Sequence, residues 1–228
     1  MGRFISGLVL TSVHVLSRLF FSVRCTWVSR HSQDPWIEIR QRHLRVICFL
    51  NHTSLFEPLF LACVPLRFIW FMAGRILVPG ADKTLNRPLV GRFFKLLTPR
   101  MVPITRKRDE SWTQFLSHIS PEVIVALAPE GRMKRRNGLD SQGQPMSVRG
   151  GIGEILEGMH DGVMLVCYSG GLHHIQAPGD RLPRLFRRAD IAFEMVPIAD
   201  YKAQFSPGEG FKTAVARDLE ARLKRHTP

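Results

Sequence analysis

From residue 45 onward the apolar positions fall in short unbroken runs, not in alternation with polar ones. RVICFL at Arg45–Leu50, FIWFM at Phe68–Met72, MVPIT at Met101–Thr105, VIVALA at Val123–Ala128, VMLVCY at Val163–Tyr168 and IAFEMVPI at Ile191–Ile198 are rich in β-branched and aromatic residues. Continuous runs of this kind read as strands covered on both faces. Between them Pro58–Val64, Pro88–Leu97, Glu110–Ile119 and Val148–Met159 read as helices. In Gly210–His226, Phe211, Val215, Leu219 and Leu223 recur every four residues among arginines and lysines, the single stripe of a surface helix. Strands alternating with helices predict an α/β fold: one domain with a central, mostly parallel sheet covered by helices.

The first thirty residues follow another pattern. They are apolar but interrupted by His14, Arg18 and Arg24, and the uncharged stretch Phe4–Ser17 is shorter than the roughly 20 residues of a spanning helix. This predicts an N-terminal amphipathic membrane-interface helix over residues 1–30, ahead of a domain over residues 31–228. Its arginines would sit at headgroup level, with Phe, Leu and Trp27 in the acyl boundary. The other reading of the same pattern is a helix buried in the domain.

Composition narrows the function classes. With 45% hydrophobic and 22% charged residues in 228, the chain is globular and not disordered. Its 32 basic against 19 acidic residues give +13, which predicts an anionic partner: nucleic acid, an acidic membrane surface or a phosphorylated substrate. Much of that charge gathers in two loops that follow strands, Arg132–Ser147 and Gly170–Arg188, and ligands of α/β sheets bind at such strand ends. No zinc finger, RRM signature or basic zipper accompanies it, which leaves nucleic acid without a recognisable reader. The four cysteines Cys25, Cys48, Cys63 and Cys167 lie far apart with no CxxC pair. Metal-finger spacing is absent, and reduced thiols in a reducing compartment are the expectation.

Three strand exits carry candidate chemistry. After Leu50 comes Asn51-His52-Thr53-Ser54-Leu55-Phe56-Glu57-Pro58. His52 and Glu57 are five residues apart, which is not a same-face spacing on a helix, so they meet only if His52 sits in a turn ahead of it. Pro58 favours that arrangement because it suits the first helical turn. Glu57 would then take the Nδ1 proton of His52 and leave Nε2 as a base. After Ala128 comes Pro129-Glu130-Gly131-Arg132, followed by Lys134, Arg135 and Arg136. A carboxylate, a glycine and a guanidinium fork suit a phosphate beside a hydroxyl. The third exit, Val102-Pro103-Ile104-Thr105-Arg106-Lys107-Arg108, delivers basic side chains.

In order and spacing these segments resemble the glycerophospholipid acyltransferase family, with its Asn-His-x4-Asp, a strand ending in Arg, and Pro-Glu-Gly-Thr-Arg. Here Glu57 stands where the family has aspartate, Arg132 follows Gly131 directly, and Val163–Tyr168 lacks the proline of the family's later strand. The resemblance implies direct acyl transfer from acyl-CoA or acyl carrier protein to the hydroxyl of a lysophospholipid, most directly 1-acyl-glycerol 3-phosphate. It implies His52 as general base with Glu57 behind it, and Arg106 and Arg132 on the acceptor phosphate. Glu130 would orient the glycerol hydroxyls and Gly131 would keep the approach open. No metal or redox cofactor is implied; the partners are a membrane lipid surface, the lysophospholipid and the acyl thioester, at the cytoplasmic face of the inner membrane. A basic nucleic-acid-binding protein and a non-catalytic lipid-binding member of the same fold are the alternatives. His173 and His174, adjacent and without a carboxylate pair, read as structural, and Cys167-Tyr168-Ser169-Gly170-Gly171 lacks the first glycine of a hydrolase elbow.

Overall fold

The computed structural model describes residues 2–105, 109–205 and 210–228. In chain order the elements are α1 (Gly2–Phe20), β1 (Ser22–Trp27), α2 (Pro35–Gln41), β2 (Leu44–Phe49), a 3-10 helix (Glu57–Cys63), α3 (Leu66–Met72), β3 (Ile76–Ala81), α4 (Asp82–Leu85) and α5 (Pro88–Leu97). They continue with β4 (Arg100–Ile104), α6 (Glu110–Ser117), β5 (Ile124–Leu127), α7 (Gly151–Glu157), β6 (Val163–Ser169), β7 (Arg188–Pro197), α8 (Ile198–Ala203) and α9 (Phe211–His226). The strands form one seven-stranded sheet in the order β1-β7-β6-β2-β5-β3-β4. Strands β6, β2, β5, β3 and β4 run parallel; β7 turns antiparallel to β6, and β1 pairs parallel with β7. The sheet is therefore mostly parallel.

Helices cover both faces, which is why β2, β5 and β6 are buried along almost their whole length. On one face Phe115 of α6, Ile152, Ile155 and Leu156 of α7, and Val215 and Leu219 of α9 pack on the sheet. On the other, Leu10 of α1, Ile39 of α2, Phe60 of the 3-10 helix, Phe68, Ile69 and Met72 of α3, and Leu97 of α5 do so. The central position of β2, between β6 and β5, puts the chain leaving Phe49 in the middle of the sheet's carboxyl edge.

Three elements differ from the sequence pattern, α3, β3 and β1. Phe68–Met72, expected as a strand, lies in the helix α3, because Pro65 caps a turn whose Phe68, Ile69 and Met72 share one buried side; packing overrides β-propensity there. The strand that replaces it is β3, whose Pro79 and Gly80 hid it. Strand β5 pairs with β3 only at Ile76 and Leu77, so Pro79 lies beyond that ladder, where a missing N–H costs nothing.

Helix α1 ends at Phe20, and Ser22–Trp27, expected within the same helix, forms the edge strand β1. The helix is docked with its small and polar side inward. Ser6, Gly7, Leu10, His14 and Ser17 are buried, Ser6 Oγ donating to the Leu97 carbonyl and His14 Nδ1 lying 2.8 Å from the Leu61 carbonyl. Its large apolar residues face out: Phe4 is 61% exposed, Leu19 64%, and Leu8, Val15 and Leu16 about half. The helix thus hides its polar stripe and displays its apolar one.

The cysteines require a correction. Cys25 of β1 and Cys63 at the end of the 3-10 helix are joined in a disulfide, and Cys48 and Cys167 are buried free thiols. The 38-residue separation carries no spacing signal. The pair meets because the 3-10 helix packs beside β1 and α1. Disulfides persist in oxidising surroundings, so the inference of a reducing compartment loses its basis.

Candidate active site

Strand β2 ends at Phe49, and Asn51 then takes a left-handed backbone (φ 65°) that redirects the chain across the sheet edge. Asparagine tolerates that conformation better than most residues. Its side-chain Nδ2 donates to the Ser169 carbonyl at 2.9 Å, and its backbone N–H donates to Glu130 Oε1 at 2.7 Å. The following turn closes on Glu57: Oε1 accepts from the Thr53 and Ser54 N–H groups, each at 3.3 Å. Glu57 and Pro58 begin the 3-10 helix with Phe56 as its cap. This arrangement brings His52 Nδ1 to 2.9 Å from Glu57 Oε1. Nδ1 is buried with no linear hydrogen bond to another group, so Glu57 is the acceptor a small ring rotation would engage. Such bonds are often loose without substrate. Nε2 has no hydrogen-bond partner among the described residues.

The electrostatics of the pair suit a base. Burial alone would lower the imidazole's affinity for a proton. The Glu57 carboxylate, as neighbouring charge and hydrogen-bond acceptor, with Glu130 adding to it, outweighs that and holds the His52 pKa above its ordinary value of 6.5.

Glu130 stands at the exit of β5, adjacent to β2, and only 5% of it is exposed. Its oxygens accept from the main chain that carries the histidine, Oε1 from Asn51 N–H and Oε2 from His52 N–H at 3.4 Å. Burial raises its pKa, an effect those amides and His52 only partly offset. Gly131 adopts φ 67°, while a Cβ there would meet nothing nearer than 3.6 Å. The backbone conformation, not crowding, selects glycine at this turn.

Arg132 pairs with Asp140, whose side chain is almost fully buried and whose carboxyl is pulled down to about 2, first by that guanidinium. Asp140 Oδ1 also accepts the Gln142 and Gln144 N–H groups, so the pair anchors the basic loop after β5. The buried Arg132 Nε has no acceptor. The same loop returns to the site, with Lys134 N–H donating to the His52 carbonyl at 2.8 Å. His52, Glu130 and Lys134 line a cavity of about 40 Å³ together with Glu220 and Leu223 of α9. That volume holds one water and not an acyl chain. Arg106 lies outside the described residues.

The structure thus brings His52, Glu57, Glu130, Gly131 and Arg132 to one sheet edge. His173 and His174 serve as loop ties, their Nε2 atoms 2.6 Å from the Lys134 and Arg188 carbonyls. Ser169, the buried last residue of β6, accepts the Gly171 N–H with its Oγ. Asn51, Asp140 and the cavity-lining Glu220 were not picked out from sequence; only Asn51, beside the histidine, carried a readable signal.

The mostly parallel sheet thus carries a histidine backed by a carboxylate at its carboxyl edge. Residues 37–169, more than half of the chain, match the family model described as Acyltransferase, and the chain belongs to the acyltransferase family. Its fold is similar to the crystal structure of the 1-acyl-sn-glycerophosphate (LPA) acyltransferase PlsC from Thermotoga maritima. The TM-score is 0.57 at 16% identity, over 95% of this chain and 79% of that one. At that identity the likeness is one of fold. No curated protein sequence matches the chain significantly.

Proposed function

We propose that the chain transfers a fatty acyl group from acyl-CoA or acyl carrier protein to the hydroxyl of a lysophospholipid, with 1-acyl-glycerol 3-phosphate as the leading acceptor. The contact between His52 and Glu57, at 2.9 Å with Nε2 left free, supports this most strongly. In this reading Nε2 takes the acceptor's proton as its oxygen attacks the thioester carbonyl. The tetrahedral adduct then collapses, expelling the thiolate, which recovers the proton from the imidazolium. Glu57 stabilises the imidazolium in between. General-base help of this kind contributes about 10²–10⁴-fold. Glu130 acts by fixing the main chain of Asn51 and His52. Arg132, with an Nε not taken up by Asp140, and Arg106 are assigned to the acceptor phosphate, and Gly131 to the turn that leads into Arg132 and keeps the approach open.

The outward apolar face of α1 supports a membrane-bound enzyme that meets its lipid acceptor in the interface. Helix α1 is long and apolar enough to cross a membrane, but its buried stripe docks it along the domain, which favours the in-plane arrangement. The resemblance places the enzyme at the cytoplasmic face, and the Cys25–Cys63 disulfide argues for testing the oxidising side equally. A screen of lysophospholipid acceptors with purified protein and a palmitoyl thioester, scored by thiol release and product mass, tests the activity. An acylated 1-acyl-glycerol 3-phosphate product is expected; thioester that stays intact with every acceptor overturns the reading.

A further inference from the structure

A second cavity lies away from the candidate active site. It lies at the opposite, amino-terminal edge of the sheet, has a volume of about 440 Å³, and is lined by Arg3, Gly74, Arg75, Arg100, Pro121 and Glu122 together with Ala73. Three arginines line it from three places in the chain: the first turn of α1, the residue before β3 and the first residue of β4. Like charges brought together repel, and among the described residues none of the three has a carboxylate within ion-pair distance. The one acid at the rim, Glu122, accepts a hydrogen bond from Ser120 Oγ at 2.7 Å.

One of the arginines, Arg75, is also held in place. The Arg75 guanidinium lies over the Phe71 ring, 4.8 Å from its centre, with Arg40 5.6 Å from the same ring. Stacking of this kind fixes the fork without neutralising it. Gly74 lets α1 close the cavity. It has φ 72°, and a Cβ there would come within 2.9 Å of Arg3 Cβ. Any side chain at that position would push the start of α1 away.

The direction of α1 relates this cavity to the membrane. Its first turn stands beside Gly74, and its last residue lies against Phe186, next to Phe21 and Phe56 at the active-site edge. A helix of this length spans about 28 Å. If its exposed face beds into a bilayer, both ends lie at headgroup depth, one beside the catalytic edge and the other beside the three arginines. We propose that the arginine cavity binds the phosphate of an anionic phospholipid headgroup, a second lipid site distinct from the acceptor site. Phosphate is the shared chemistry that a guanidinium cluster recognises. The cavity's position at the foot of an outward apolar helix assigns it to a lipid and not to free phosphate. The assignment rests on the interfacial placement of α1 under Proposed function.

The test uses the full chain, flotation with vesicles of phosphatidylcholine alone or with phosphatidylglycerol, and the ratio of the two partition coefficients. Arg75→Gln/Arg100→Gln is expected to lower that ratio about tenfold or more. Partition into neutral vesicles and thiol release with detergent-dispersed acceptor should not change. Lys224→Gln/Arg225→Gln, which removes the same charge from exposed positions of α9, is expected to lower the ratio by about threefold or less. Should the double variant fail to fold, Arg100→Gln alone, from an exposed position, is expected to lower the ratio about threefold or more. Equal losses in the cavity variant and the α9 variant overturn the proposal, as does an unchanged ratio. Inorganic phosphate that raises the melting temperature of the wild type but not of the cavity variant, with no difference in flotation, also overturns the lipid assignment. Wild-type protein that floats with neither vesicle overturns the reading of α1 together with the proposal; flotation with both, indifferent to Arg75 and Arg100, overturns the proposal alone.

Discussion

Glu57→Gln isolates one charge in the catalytic pair. The amide keeps an oxygen that can still accept from Thr53 and Ser54 N–H, so the turn should persist. What is lost is the carboxylate 2.9 Å from Nδ1. Two unit charges about 4 Å apart interact by roughly 4 kcal/mol at an effective dielectric of about 20. Measured shifts for such pairs run to about 1–3 pKa units, or about 1.4–4 kcal/mol. With about half of the imidazolium charge formed in the transition state, the barrier rises by about 0.7–2 kcal/mol, roughly 3–30-fold in kcat.

The pH profile gives a second, independent readout. The base works neutral, so wild-type kcat/KM rises with pH and levels off above an inflection higher than 6.5. In Glu57→Gln burial is no longer outweighed by that carboxylate, and the inflection moves down toward 6.5 or below. The deficit of the variant is therefore largest on the alkaline plateau and smaller on the acid limb. Thiol release followed from acid to alkaline pH measures both quantities. A variant with kcat within about twofold of wild type and an unmoved inflection would refute the pairing. Glu57→Asp restores the charge but shortens the arm by one methylene, and should fall between the two.

Glu130→Ala leaves the Asn51 and His52 N–H groups without their acceptor; a loss of about 1–3 kcal/mol of stability is expected by denaturant titration, with thiol release reduced as well. Unaltered stability would show that those amides do not depend on the carboxylate. Leu8→Asp/Leu19→Asp changes exposed positions of α1, each worth about 1.5–3 kcal/mol of apolar contact if buried in lipid. Flotation should fall more than tenfold while the melting temperature holds, and a helix indifferent to both charges is not bedded in a bilayer. Alkylation of denatured, unreduced protein should label Cys48 and Cys167 alone; four labelled thiols would contradict the Cys25–Cys63 bridge.

The strands that hold the site were legible because both faces are buried. Runs such as Arg45–Leu50 and Val163–Tyr168 need no polar side, and they fall on β2 and β6. Strand β3 was not legible, since its proline and glycine are tolerated only because β5 stops short of them. Phe68–Met72 misled for the opposite reason: its aromatic residues serve one side of a helix, which only the packed neighbours reveal. At the site, the meeting of His52 and Glu57 follows from a turn and a proline close in sequence. The tasks of Glu130 and Arg132 depend on partners 79 residues back and 8 residues on, and motif spacing does not display those. The cysteine bridge is of the same kind, created by the docking of two elements with no pattern between them.

The base is the centre of this account, and single-turnover thiol release tests it most directly. Wild type and His52→Ala, matched for melting temperature and vesicle flotation, are mixed with palmitoyl thioester and 1-acyl-glycerol 3-phosphate. The wild type is expected to release thiol together with a diacylated product. His52→Ala should lose the rate by about 10²-fold or more while still binding vesicles. Thiol release by His52→Ala at the wild-type rate would contradict the account.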